Sequence, residues 1–61
     1  MKPNIQDLIE KGKEHRIFFV NGYRGKYTLL DFDDDTLIVK DAKTGHQQLI
    51  FIHAVSTIDL G

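Results

Sequence analysis

The chain has 61 residues, no cysteine, and 8 Lys and Arg residues against 9 Asp and Glu residues, which gives a formal net charge of −1. This size fits one domain that buries only about 60% of the surface of its unfolded chain, and without cysteine neither disulfides nor thiolate zinc sites can reinforce it. The near-neutral charge excludes a general polycation, so any nucleic-acid site must be local.

Composition also bears on partners and location. A chain this small without disulfides needs another stabiliser, and association with further copies of itself is the one that we favour. No apolar stretch approaches the ~20 residues of a membrane span, and the first residues do not lead into the apolar segment of a signal peptide. The sequence therefore predicts a cytoplasmic homo-oligomer that has no membrane partner.

The predicted elements begin with a short helix over about residues 5–12. Asn4 suits its N-cap and Gly12 its end. From Arg16 the pattern changes to β-branched and aromatic residues, which predicts a first strand over about 16–21. Asn21-Gly22 is a strong hairpin signal, so the first and second strands should meet there.

The rest of the chain predicts four more strands. They lie at about residues 24–33, 35–40, 46–52 and 55–59, and we expect a bend or bulge near Gly25, at the start of the second strand. One helix followed by five strands leaves no room for crossover helices. The predicted fold is mainly β (α+β), a single domain over residues 1–61 that forms a strongly bent antiparallel barrel.

Residues 49–58 read LIFIHAVSTI and allow two interpretations. They could form one buried strand with a single satisfied histidine, His53. Alternatively, two short strands could meet at a tight turn that carries this ring.

The acidic segment DFDDDT looks like the opening of a calcium-binding loop. That loop needs glycine at its sixth position and glutamate at its twelfth, where this chain has Thr36 and Ala42. We therefore expect an acidic turn with solvated carboxylates, and neither a metal nor a cofactor. The three histidines are scattered without a nucleophile-and-base spacing, so we expect no enzyme.

The segment RIFFVNGYRGKY interleaves aromatic and cationic residues. Strand alternation puts Ile17 and Phe19 on one face and Phe18 on the other, while Tyr23 follows the turn beside Arg24. Such clusters bind single-stranded nucleic acid through stacked bases, each worth ~1 to 3 kcal/mol. Phe18 is either such a stacking surface or is covered by a neighbouring subunit.

Four segments, NIQD, FFVNGY, Phe32-Asp33 and QQLIFIHAVST, resemble the Hfq branch of the Sm-like RNA-binding proteins in order over nearly the whole chain. The resemblance implies a helix and a five-stranded Sm-like (SH3-type) barrel in a homohexameric ring. The implied function is that of an RNA chaperone and post-transcriptional regulator in stress responses, which binds small RNAs and mRNAs without catalysis.

The resemblance also implies how subunits join. The fourth strand of one subunit would pair with the fifth strand of the next, with His53 at the turn near the pore. The implied interface residues are Leu49, Ile50, Phe51, Val55, Thr57 and Ile58. Because the helix is short and the loop DAKTGHQQ is long for the family, a monomer or a smaller oligomer stays open.

Two RNA-binding faces follow from the same resemblance. The distal face, which binds A-rich single-stranded RNA, corresponds to Phe18, Gly22, Tyr23, Arg24 and Gln48, and the second-strand glycine of the family falls at Tyr27. The proximal face, which binds U-rich RNA, corresponds to Gln6, Asp34, Asp35, Ile52 and His53. The rim corresponds to Lys11, Lys13 and Arg16.

The proximal face departs from the family pattern. Asp35 stands where the family has a stacking aromatic and Ile52 where it has a lysine, and Asp33 and Asp34 add negative charge. Phosphates should be repelled there, so the resemblance implies an impaired proximal site and a retained distal one. The alternative is an Sm-fold interaction or scaffold module with little RNA binding.

Overall fold

A computed structural model describes residues 4–60 of the chain. Its elements are α1 (Ile5–Lys11), β1 (Glu14–Phe19), β2 (Arg24–Phe32), β3 (Thr36–Asp41), β4 (Gln47–Phe51), a 3-10 turn (Ile52–Ala54) and β5 (Val55–Ile58). The two ends of the predicted domain, residues 1–3 and 61, lie outside the described residues. Among residues 4–60, no helix is long and apolar enough to cross a membrane.

Helix α1 is bounded by capping interactions at both ends. Asn4 and Asp7 form a capping box, in which the Asp7 N–H donates to Asn4 Oδ1 at 3.0 Å and the Asn4 N–H to Asp7 Oδ2 at 3.1 Å. Gly12 adopts the left-handed conformation at φ +66° and donates its N–H to Ile9 O. The helix therefore ends at Lys11, one residue before the predicted end, and it buries Leu8.

The five strands form one antiparallel sheet in the order β4-β3-β2-β1-β5. Consecutive strands pair along the chain up to β4, and β5 returns to pair with β1. The side chains that fill the core are Leu8, Ile17, Tyr27, Leu29, Leu37 and Val39. The helix followed by a bent antiparallel sheet confirms the predicted fold class, and β4 and β5 are its two edges.

The first strand and turn differ from the prediction. β1 begins at Glu14, which pairs with Thr28, and ends at Phe19, so both ends lie two residues earlier than predicted. Its alternation places His15 in the core. The chain then turns through residues 20–23 and not through Asn21-Gly22 alone: the Gly22 N–H donates to Phe19 O at 3.0 Å. Gly22 has φ +91°, which favours glycine.

The irregularity in β2 lies at Leu30 and not near Gly25, where it was predicted. Leu29 pairs with Val39 but Asp31 pairs with Ile38, so Leu30 is the extra residue of a bulge. Gly25 has another role. A Cβ there would lie 2.8 Å from Tyr27 Oη, so the absence of a side chain makes room for the Tyr27 ring.

The boundaries of β3 to β5 differ from the predictions by one residue at most. β4 ends at Phe51 because the 3-10 turn begins at Ile52, and β5 ends at Ile58. The turn carries His53 between two separate strands. Of the two interpretations of residues 49–58, the structure therefore supports two short strands.

We predict that Gly25→Ala lowers the free energy of unfolding by about 1 to 3 kcal/mol, because the new Cβ overlaps the buried Tyr27 ring. Urea denaturation measures the loss. In a Tyr27→Leu background the ring is absent, so the same alanine should be much less destabilising. Equal losses in the two backgrounds would show that the ring is not the cause.

A second prediction concerns alkaline stability. Burial, followed by the neighbouring Tyr23 and Asp41, raises the pKa of the Tyr27 hydroxyl above its ordinary value. The unfolded chain therefore ionises first as pH rises through about 10, so the free energy of unfolding should fall above that pH and not below it. Tyr27→Phe should flatten this fall, whereas the control Tyr23→Phe should largely preserve it. Denaturation at a series of pH values compares them, and identical profiles would contradict the assignment.

Candidate nucleic-acid interface

Tyr23 is an exposed aromatic residue whose ring contacts Phe19, which in turn contacts Tyr27. It follows the turn at residues 20–23, where its N–H donates to Asn21 Oδ1 at 2.9 Å. Its ring lies 5.9 Å from Phe19, and Phe19 in turn meets Tyr27 edge-on at 6.2 Å. Tyr23 is 65% exposed. A rigid aromatic surface of this kind can accept a stacked base at little entropic cost.

Phe18 lies on the other face of β1 from Phe19, as strand alternation predicts. It is half-buried and pairs across the ladder with the exposed Arg24 of β2 and with Thr57 of β5. The register therefore brings Phe18 together with Arg24, whereas the ring contact of Tyr23 is with Phe19. The two predicted stacking residues belong to different clusters.

Gln48 is distant from these residues within one chain. It is exposed on the edge strand β4, where it pairs with Val39, and β3 and β2 separate it from β1. One subunit thus brings together four of the five predicted distal residues, around the β1–β2 turn. The fifth would need to come from another copy.

The acidic turn is adjacent to the 3-10 turn. The Asp33 N–H donates to Thr36 O at 2.9 Å and the Asp34 N–H to Asp33 Oδ1 at 2.8 Å, which closes the link between β2 and β3. The Ile52 N–H donates to Asp35 O at 2.8 Å. Asp34 and Asp35 are exposed, so their carboxylates stand beside the turn that carries His53.

The remaining proximal residues are less closely associated. His53 is exposed and stacks on Phe51, with ring centroids 5.9 Å apart. Gln6 lies on α1, and its Nε2 donates to Glu10 Oε2 at 3.1 Å. Within residues 4–60 no group of three or more His, Asp or Glu side chains could hold a metal ion.

The predicted rim is spread over three elements. Lys11 ends α1, Lys13 lies in the link and Arg16 lies in β1, and all three are exposed. Arg16 is directly opposite Lys26 of β2. It therefore lies outside α1 and shares the sheet face of Phe18.

The predicted interface residues fall into two groups. Leu49 and Phe51 are each 55% exposed on the edge strand β4, and Thr57 is exposed on β5. The other three, Ile50, Val55 and Ile58, pack partly against the core. The first group is available to a neighbour without disturbing the subunit.

His15 is a residue that sequence reasoning missed. It is buried in β1, and its Nδ1 lies 3.0 Å from Asp59 O, so Nδ1 must carry a proton and donate it. Within the described residues Nε2 has no hydrogen-bond partner. The predicted strand began after His15; extending the alternation of Ile17 and Phe19 backwards would have found it. Its position indicates a structural role, joining β1 to the chain after β5.

Comparison with known proteins supports one family. The family model described as "Hfq protein" matches residues 5–60. A protein named RNA-binding protein Hfq from Natranaerobius thermophilus is 39% identical over 59 residues, covering 95% of this chain and 68% of that protein. The protein of the same name from Geobacillus sp. is 39% identical over 59 residues, covering 88% of this chain and 77% of that protein.

A solved structure agrees with the sequence matches. The crystal structure of the pleiotropic translational regulator Hfq superposes with a TM-score of 0.84 at 27% identity, covering 92% of this chain and 90% of that one. The family match over residues 5–60 includes the helix, all five strands and the turn around His53. The chain belongs to the Hfq family.

Proposed function

We propose that this chain is an RNA-binding post-transcriptional regulator of the Hfq type, which acts by holding small RNAs and mRNAs without catalysing a reaction. The observation that carries the proposal is the cross-strand pair of Phe18 and Arg24 on the outer face of the sheet, with the exposed Tyr23 directly before Arg24 in the chain. The relatives of this chain are named RNA-binding proteins. Aromatic surfaces beside a cation suit bases and phosphates together.

The preferred RNA is A-rich and single-stranded, and it binds on the distal face. Phe18 and Tyr23 supply rings, Arg24 a charge, and the turn at Gly22 a backbone that a base can approach closely. Gln48 completes the site from a neighbouring subunit, because two strands separate it from β1 within one chain. RNA binding and assembly are therefore coupled.

Assembly is a homohexameric ring in which β4 of one subunit pairs with β5 of the next. Both are edge strands with unpaired backbone groups, and exposed edges promote association. Leu49 and Phe51 add exposed apolar surface to one edge. A ring covers both edges of every subunit at once.

The proximal face binds U-rich RNA weakly or not at all. The Ile52–Asp35 backbone hydrogen bond supports this, because it holds an acidic turn beside the position where the family has a lysine. Six copies of Asp34 and Asp35 would repel phosphates near the pore. This acidic surface also favours the second candidate function, a scaffold that kept the fold and lost RNA binding.

We predict that oligo-A binds more tightly than oligo-U, and that Phe18→Ala or Tyr23→Ala weakens oligo-A binding by roughly tenfold or more through lost stacking. Fluorescence anisotropy at fixed salt measures the affinity of the unaltered chain for each RNA and of each variant for oligo-A. Phe18→Tyr keeps the ring and should retain affinity, whereas Phe18→Leu keeps apolar bulk only and should not. Absence of oligo-A binding by the unaltered, assembled chain would favour the scaffold function.

The double variant Asp35→Phe with Ile52→Lys should gain oligo-U affinity of at least several-fold. It supplies a stacking ring and a phosphate partner and removes one repelling carboxylate per subunit. The same titration with oligo-U measures the gain. Tight oligo-U binding by the unaltered chain at physiological salt would show that the proximal site is not impaired.

Phe51→Glu should dissociate the ring while leaving the subunit folded, because Phe51 is 55% exposed in the single chain. Sedimentation gives the mass and circular dichroism the fold. Val20→Glu, at a 68% exposed position outside the edge strands, is the matched control and should stay assembled. If the unaltered chain is a stable monomer at high concentration, the ring and its shared sites must be abandoned.

A further inference from the structure

The β1–β2 ladder places two cations directly opposite each other. Arg16 pairs with Lys26, both are exposed, and the next pair on the same face, two residues along, is Phe18 with Arg24. Directly opposite side chains share a face about 5 Å apart, and positions two residues apart along a strand lie ~7 Å apart. We call this set of Phe18, Arg24, Arg16 and Lys26 the outer stripe.

The outer stripe is unfavourable for the isolated sheet. Like charges directly opposite each other destabilise a strand pair. Within residues 4–60, Arg16, Arg24 and Lys26 form no ion pair that would offset the repulsion. Uncompensated repulsion between facing side chains is expected at functional sites, where a bound ligand can supply the opposite charge. Three cations on one face favour an anionic ligand.

Acidic residues limit the stripe. Beyond Arg16 and Lys26, the next pair on the same face is Glu14 with Thr28. Both line an open cleft of about 220 Å³ together with Asp41 and Lys40, so carboxylates outnumber cations there. On the β5 side, Asp59 donates its N–H to Arg16 O at 2.8 Å. An anion is therefore favoured between the Phe18 ring and Lys26 and disfavoured beyond them.

We infer that the outer stripe is a phosphate-binding track for the RNA whose base stacks on Phe18. Arg24 neutralises the phosphate nearest the stacked base, and Arg16 with Lys26 holds a following phosphate, where the ligand relieves their repulsion. This inference rests on the proposed function. It gives Lys26 a binding role and places Arg16 on the distal track and not on a helical rim.

The test compares two single substitutions of equal chemistry, Lys26→Gln and Lys43→Gln, in the assembled protein. Lys43 is exposed in the loop between β3 and β4, outside the stripe. Oligo-A binding is titrated over a salt series. Each lost phosphate contact should reduce the slope of log K against log salt by about 0.7, so Lys26→Gln should lower both slope and affinity while Lys43→Gln changes neither.

The melting temperature (Tm) measured without RNA shows whether Lys26 acts in RNA binding or in stabilising the fold. Removal of a like charge should leave the Tm of Lys26→Gln unchanged or raise it by up to a few degrees, whereas a structural lysine would lower it on removal. The preference for oligo-A over oligo-U should persist, because phosphate contacts carry no sequence information. Arg16→Gln is the second variant and should behave in the same way.

The outcomes are distinguishable. If the unaltered chain binds oligo-A and Lys26→Gln and Arg16→Gln match Lys43→Gln in slope and affinity, the phosphate track is wrong and the proposed function stands. If the unaltered chain does not bind oligo-A, both are overturned.

Discussion

The constraint on which the structure depends is that one small sheet must bend around its own core. Ile17, Leu29, Leu37 and Val39 come from three neighbouring strands and are almost fully buried. A flat sheet of this size could not enclose them, so the strands must curve. The bulge at Leu30 supplies an irregularity where curvature can concentrate.

The bend determines what the remaining surfaces can do. With the core-facing side filled by α1 and the inward side chains, the opposite face of β1 and β2 is left to solvent. Phe18 projects from that face, and the Phe19 ring on the core side supports Tyr23 at the turn. The core and the proposed binding surface therefore use alternate residues of the same short strand.

Sequence reasoning succeeded where the residues that form a pattern also make the interactions that determine the structure. The capping signal of Asn4 and the left-handed position of Gly12 are local, so the helix was found to within one residue. The family assignment was also found, since FFVNGY and HAVST are specific segments, and the comparisons confirm it.

Sequence reasoning failed where contacts between residues that are distant in the sequence determine the local structure. The bulge depends on how β2 pairs with β3, and Gly25 was interpreted as a bend because the ring of Tyr27 that occupies its space cannot be seen in sequence. Local alternation would have placed His15 in the core, but its hydrogen-bond acceptor, Asp59 O, is 44 residues away and could not be predicted. The separation of Phe18 from Tyr23 likewise follows from ring contacts and not from spacing.

The charge distribution shows why composition says little about binding in this chain. A net charge of −1 excludes a general polycation, yet the sheet sorts its charges, with cations opposite one another on β1 and β2 and carboxylates at the turn before β3. Strand register, which total charge does not reveal, brings the cations together, whereas the carboxylates are consecutive in the sequence. A polyanion approaching the two surfaces would meet fields of opposite sign although the chain as a whole is nearly neutral. Selectivity between the two faces can thus arise from where the charges are placed, without any change in composition.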